Sequence, residues 1–153
     1  MPSPGGRAMT NIVASFCSLL LLPQQHEWAA CRALMPPPAI EQACWSLTNY
    51  WPFDEHGQLQ PWNGQADGDP YHTANGTEVT ADKAWRMAAG PLPIVGRTLV
   101  LPDGRRLAVT DTFGHPAYQA GVFWHDGYEE WVIGVDVFTP EPLHYLLCEG
   151  RIH

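Results

Sequence analysis

Positive charge is scarce in this chain: Lys and Arg number 8 against 16 Asp and Glu, a formal net charge of −8 over 153 residues. A nucleic-acid binder needs a cationic footprint to displace counterions from phosphates, so that class is excluded. Long apolar runs are missing as well. The stretch Ile12–Leu22 has eleven residues, well short of the roughly 20 that a membrane-spanning helix requires. Charged residues make up only 16% of the chain, which excludes disorder driven by charge. The four cysteines, Cys17, Cys31, Cys44 and Cys148, include no pair at CxxC spacing, so a zinc ribbon or a thioredoxin-like redox site has no support. What the chain has in quantity is 14 Gly, 15 Pro and seven Trp. Gly and Pro punctuate nearly every segment, which excludes a helical bundle or coiled coil. A small, loop-rich, β-dominated domain remains.

The first 38 residues differ from the rest. Arg7 precedes the apolar run Ile12–Leu22, Pro23 breaks it, and small residues follow at Ala29, Ala30 and Ala33. This is the pattern of a secretory signal peptide; an N-terminal helix packed on the domain is the other reading. Three prolines at Pro36–Pro38 lack donor N–H groups and read as a stiff linker. The domain is expected over 40–153, in an exported protein, secreted or periplasmic.

Strands and turns follow. Cys44–Tyr50 reads as a strand ended by Pro52, and 54–72 as a long Gly- and Asp-rich loop. Ala81–Ala89 is the one short helical pattern. Arg97–Leu101 and Arg106–Thr110 flank Pro102-Asp103-Gly104 as a hairpin, and Val122–Trp124 and Tyr128–Val132 flank His125-Asp126-Gly127 likewise. Val135–Phe138 is a strand, and Leu143–Cys148 a strand or a helical turn. Cys44 and Cys148, near opposite ends of the domain, are either bridged or buried as thiols.

Most clusters of reactive residues fail on spacing. His115, His125, Asp126, Glu129 and Glu130 lack a metal-ligand pattern, and Asn63, Asp67 and Asp69 do not fit an EF-hand loop. One pair stands out. Asp111 directly follows a strand, and Asp136 sits between Val135 and Val137-Phe138, an unusual place for a carboxylate. Desolvation raises a carboxyl pKa, and a second carboxylate nearby raises it further. A carboxyl kept protonated near neutral pH can donate to a leaving oxygen, as cleavage of a glycosidic bond requires. The plainer alternative has Asp136 facing solvent on an edge strand and Asp111 capping a turn.

Five stretches, in order, resemble a known family: Thr48–Pro52, Thr73–Thr77, Met87–Gly96, Asp111–Gly114 and Val135–Phe138. Together they resemble the 3D domain, the double-psi β-barrel of MltA-type lytic transglycosylases and related muralytic proteins, over about residues 44–150. The resemblance implies a mostly β fold: a six-stranded double-psi β-barrel with one short helix and an inserted hairpin. It implies cleavage of the bond between N-acetylmuramic acid and N-acetylglucosamine in peptidoglycan glycan strands. Asp136 is then the acid/base, Asp111 its partner, and Thr48 and Thr73 line the sugar groove. Tyr50 and Trp124 join them as expected substrate-binding residues. Neither metal nor organic cofactor is called for.

The departures from the family are specific. Gly90 stands where the family has an Asp, and Phe113 replaces a Gly. The 21 residues between Gly114 and Asp136 replace a short connection. These departures point to the alternative, a non-catalytic barrel that binds wall polysaccharide or serves a larger assembly such as a phage tail tip.

Overall fold

The computed structural model describes residues 25–60 and 71–153. The apolar run Ile12–Leu22 with Cys17, and Trp62, Asn63, Asp67 and Asp69 in the long loop, lie outside the described residues. Two short helices, α1 (Gln25–Ala33) and α2 (Pro116–Ala120), accompany eight strands. The strands are β1 (Cys44–Tyr50), β2 (Met87–Ala89), β3 (Thr98–Val100), β4 (Arg106–Asp111), β5 (Phe123–His125), β6 (Glu130–Phe138), β7 (His144–Leu147) and β8 (Arg151–Ile152).

All eight strands belong to one mixed sheet, in the order β7-β1-β6-β2-β4-β3-β8, with β5 pairing to β6 beside β2. The expected dominance of β structure holds. The described ladder is an open path between β7 and β8, whereas a closed six-stranded barrel with an inserted hairpin was expected. Two pairs are parallel, β1 with β6 and β2 with β4, and the remaining pairs are antiparallel. Val135–Phe138 is the second half of β6, continuous with the hairpin strand before it.

The core lies on one face. Trp45 and Leu47 on β1, Ile133, Val135 and Val137 on β6, Val109 on β4 and Leu99 on β3 are essentially inaccessible and form one cluster. Trp45 is therefore a core residue. Gly150, before β8, faces its ring so closely that a Cβ there would collide with it. The other face of β1 and β6 carries Thr48, Tyr50, Gly134 and Asp136, because side chains alternate along a strand. The Pro102–Gly104 turn forms as expected, with Gly104 at φ 88° and Leu101 N–H donating to the Arg105 carbonyl at 2.9 Å.

The helix expected over Ala81–Ala89 is corrected. Ala81–Lys83 form a single 3₁₀ turn, Trp85 adopts φ 61°, and Met87–Ala89 become β2. Helical propensity in so short a segment is weak, and β2 is paired on both edges, to β4 and β6, with all three side chains buried. Trp85 N–H donates to the Phe138 carbonyl at 2.8 Å, and the Arg105 guanidinium lies 3.8 Å above its ring.

The packed unit reaches upstream of the expected start near Ile40. In α1, Ala29 and Cys31 are buried, Arg32 forms a two-pronged ion pair with Glu130, and the Arg32 carbonyl accepts the Trp131 indole N–H at 3.0 Å. Cys44 and Cys148, left open by the sequence, form a disulfide.

Candidate active site

The parallel register of β1 and β6 sets Thr48 opposite Asp136. The antiparallel register of β6 and β2 sets Asp136 opposite Ala89. On the far side of β2, Ala89 is opposite Asp111. Thr48, Asp136, Ala89 and Asp111 thus form one row across four adjacent strands. The backbones of the two aspartates are two strand spacings apart, about 10 Å. The small side chain of Ala89, itself buried, lies between the two aspartates in this row.

Asp111 joins this row through an irregularity in β4. Ala88 pairs with Val109, but the next residue, Ala89, pairs with Asp111, so Thr110 is an extra residue. Without this bulge, strict alternation would send Asp111 to the face of buried Val109. The extra residue brings it to the face of Ala89, a common use of bulges beside functional sites. The Thr110 carbonyl accepts the Asn75 N–H at 3.0 Å. The Asp111 carboxylate Oδ1 accepts the N–H groups of Ala74 at 3.0 Å and Thr112 at 2.9 Å. The 73–77 loop is thereby docked on the end of β4.

Asp136 is half-buried, and its carboxyl pKa is pushed up to about 6. Burial is the largest cause, and the Asp111 charge adds to it. The Thr48 hydroxyl, donating to Asp136 Oδ1 at 3.0 Å, opposes both. Part of the burial is traceable to Phe113. Its ring lies over Gly134, where an added Cβ would stand 3.1 Å from ring carbons, and Gly134 is two residues from Asp136 on the same face. On the other side, Phe138, Met87 and Ala89 form a small apolar cluster against which Tyr50, Val79 and Phe113 pack. The outward edge-strand alternative for Asp136 does not hold, since β6 is paired on both sides.

The other expected residues divide. Thr48 is in place, and Tyr50 is on the same face, packed edge-on to Phe138 at 5.2 Å. Thr73 is buried, with its hydroxyl 3.1 Å from Asn75 Oδ1, so it braces the loop. Trp124 does not join the row. It pairs with Trp131 on β6, five residues from Asp136 and so on the opposite face, with the two rings edge-to-face at 5.5 Å. Trp51 packs on Phe53 at 5.3 Å. Sequence reasoning missed Ala89 and His144. The latter sits on β7 opposite Thr48 and extends the row by one strand; a single exposed histidine next to a proline-rich turn carries no signal of that position.

Gly90, where the resembled family has an acid, is buried. A Cβ there would stand 2.9 Å from Ile94 Cδ1 and 3.3 Å from Val109 Cγ1. A carboxylate at this position would enter the core. Among the described residues, no three His, Cys, Asp or Glu side chains are grouped so as to hold a metal ion. No helix among them is long and apolar enough to cross a membrane. An open cleft of about 540 Å³ borders the apolar cluster through Val79 and is lined by Phe53, Leu59 and Tyr71 among others. The arrangement can offer a proton from half-buried Asp136 and, once ionised, take one back, with Asp111 across Ala89. No protein-family model, no curated protein and no solved structure matches this chain.

Proposed function

We propose that this protein is a peptidoglycan-cleaving enzyme of the lytic transglycosylase type, built on a double-psi β-barrel and acting outside the cytoplasm. The observation that carries the reading is the Asp136 carboxyl, half-buried, raised to about 6 and hydrogen-bonded to Thr48 in one row with Asp111. The interleaved parallel pairs β1/β6 and β2/β4 support the barrel. The disulfide supports export.

In the proposed reaction, protonated Asp136 donates to the glycosidic oxygen as the bond from the muramoyl C1 breaks. The departing sugar leaves with a free hydroxyl. Asp136, now ionised, takes the proton of the muramoyl 6-hydroxyl as that oxygen bonds to C1 and closes a 1,6-anhydro ring. The acid ends as it began, and no water is consumed. One working carboxyl suffices, whereas hydrolysis requires a second at about 5–5.5 Å for retention or 6.5–9.5 Å for inversion. Asp111 holds the 73–77 loop and keeps a negative charge near the acid.

Digestion of purified sacculi tests the proposal. Wild type releases muropeptides with anhydro termini, detected by their mass, and Asp136→Asn loses at least about a hundredfold in rate. Absence of anhydro product from wild type overturns the reading. The second reading, a non-catalytic barrel that binds wall polysaccharide or serves a larger assembly, is favoured by Gly90 in place of an acid and by the Phe113 ring beside the groove. Sacculus binding without product, unaffected by Asp136→Asn, is its signature.

A further inference from the structure

Beside the acid row lies a band of aromatic rings outside the main core cluster. Phe113, over Gly134, meets Tyr118 at 5.9 Å; Tyr118 meets Phe123 at 4.8 Å; Phe123 meets His125 at 6.4 Å. His125 stacks on Tyr128 at 4.3 Å, and Tyr128 lies 6.3 Å from His144. Register places the band on the face of Asp136. Phe123 pairs with Val132 and His125 with Glu130, each an even number of residues from Asp136, and His144 pairs with Thr48. The band therefore begins two residues from the acid along β6 and ends two strands from it across the row.

Three features identify its occupant. Of the six rings, Phe113 packs against a buried cluster and Phe123 lies across from fully buried Val132, but Tyr118, 42% exposed, and His144 are not accounted for as core. It mixes apolar faces with hydrogen-bonding edges, from Tyr118, His125, Tyr128 and His144, and its one aliphatic neighbour across the β5–β6 pair, Val132, is fully buried. That combination suits the apolar C–H face and hydroxyl rim of a pyranose ring better than a lipid or a hydrophobic helix. Finally, the buried Tyr128 hydroxyl has no hydrogen-bond partner among the described residues. A buried donor left unpaired is costly and calls for a ligand group.

We propose that the 115–132 insertion and His144 form a saccharide-binding platform that holds the glycan chain next to the bond cleaved at Asp136. This rests on the enzymatic reading for its polymer but not for its chemistry. Tyr118 and Phe123 stack under a sugar ring, and Tyr128 and His144 hydrogen-bond its substituents.

The test measures affinity of the full chain for the soluble hexamer of β-1,4-linked N-acetylglucosamine, and retention on sacculi. Tyr118→Ala, at an exposed ring, and Tyr128→Phe, which removes only the hydroxyl, each weaken binding about tenfold, a change of about 1.4 kcal/mol. Their melting temperatures stay within the scatter of wild type. Tyr145→Ala, exposed on the opposite face of β7, leaves binding unchanged. Failure of wild type to bind either probe overturns the platform, as does equal binding by the ring variants. If sacculi are cleaved while the ring variants bind normally, the platform falls and the enzyme stands. If the ring variants lose binding and wild type cleaves nothing, the platform stands and the enzyme falls.

Discussion

The two faces of β1 and β6 are made from the same sixteen residues and held by different physics. On one face Trp45, Leu47, Ile133, Val135 and Val137 are sealed from water, and burial alone keeps them together. On the other, Thr48, Gly134 and Asp136 are half-exposed between buried Val132 and Phe138, and individual pins add to the packing. These are the Cys44–Cys148 disulfide and the Thr48–Asp136 hydrogen bond. Apolar burial is non-directional and tolerates many equivalents. A pin depends on one donor and one acceptor, so its loss is felt at a particular place.

The largest expected effect comes from the covalent pin. Replacing Cys44 and Cys148 together frees a loop spanning 104 residues, and chain-entropy arguments put the loss at about 4–5 kcal/mol. Chemical denaturation with and without the substitutions measures it. Leu47→Ala should cost about 3 kcal/mol as a buried truncation, yet leave the pH profile of activity where it was, because Leu47 points away from Asp136. A shift of that profile would break the separation of the faces.

Asp136 itself gives a pH-dependent test. Its folded pKa, about 6, lies above the ordinary value of 3.8, so the native state holds the proton more tightly than the unfolded chain. Its contribution to stability is complete below about 4 and is lost as pH rises through about 6, by up to about 3 kcal/mol. Asp136→Asn should remove that slope between pH 4 and 7, and in the active protein the same limb should cap activity on the alkaline side. Gly134→Ala is smaller and more diagnostic. The new methyl meets the Phe113 ring, costs about 1–2 kcal/mol through overpacking, and hydrates Asp136, moving the alkaline limb to lower pH. Thr48→Val has the smallest effect. Removing the hydroxyl that lowers the Asp136 pKa moves the limb upward by a fraction of a pH unit, the equivalent of about 1 kcal/mol.

How much of this was legible follows from what each feature depends on. Cys44–Tyr50 reads as β1 to the residue, since alternation and a terminating proline are local properties. Asp136 is conspicuous for the same reason, a carboxylate in an aliphatic run. β2 is three small or flexible side chains, and its strand character comes from two neighbours distant in sequence, so the local pattern reads as helix. Trp124 reads as a groove residue by its aromatic nature, but which face it takes depends on pairing with Trp131. His144, the Phe113 ring over Gly134 and the docking of α1 are relations between separate segments, and no window of sequence contains them.

The extra residue in β4 is absorbed by the bulge, so the strand can be one residue shorter there without turning the acid. Deleting Thr110 would restore a regular ladder in which Asp111 follows Val109 directly and still lies opposite Ala89, while removing the carbonyl that accepts the Asn75 N–H. Homologous chains one residue shorter at this point would keep the aim of the acid and lose part of the seat of the 73–77 loop.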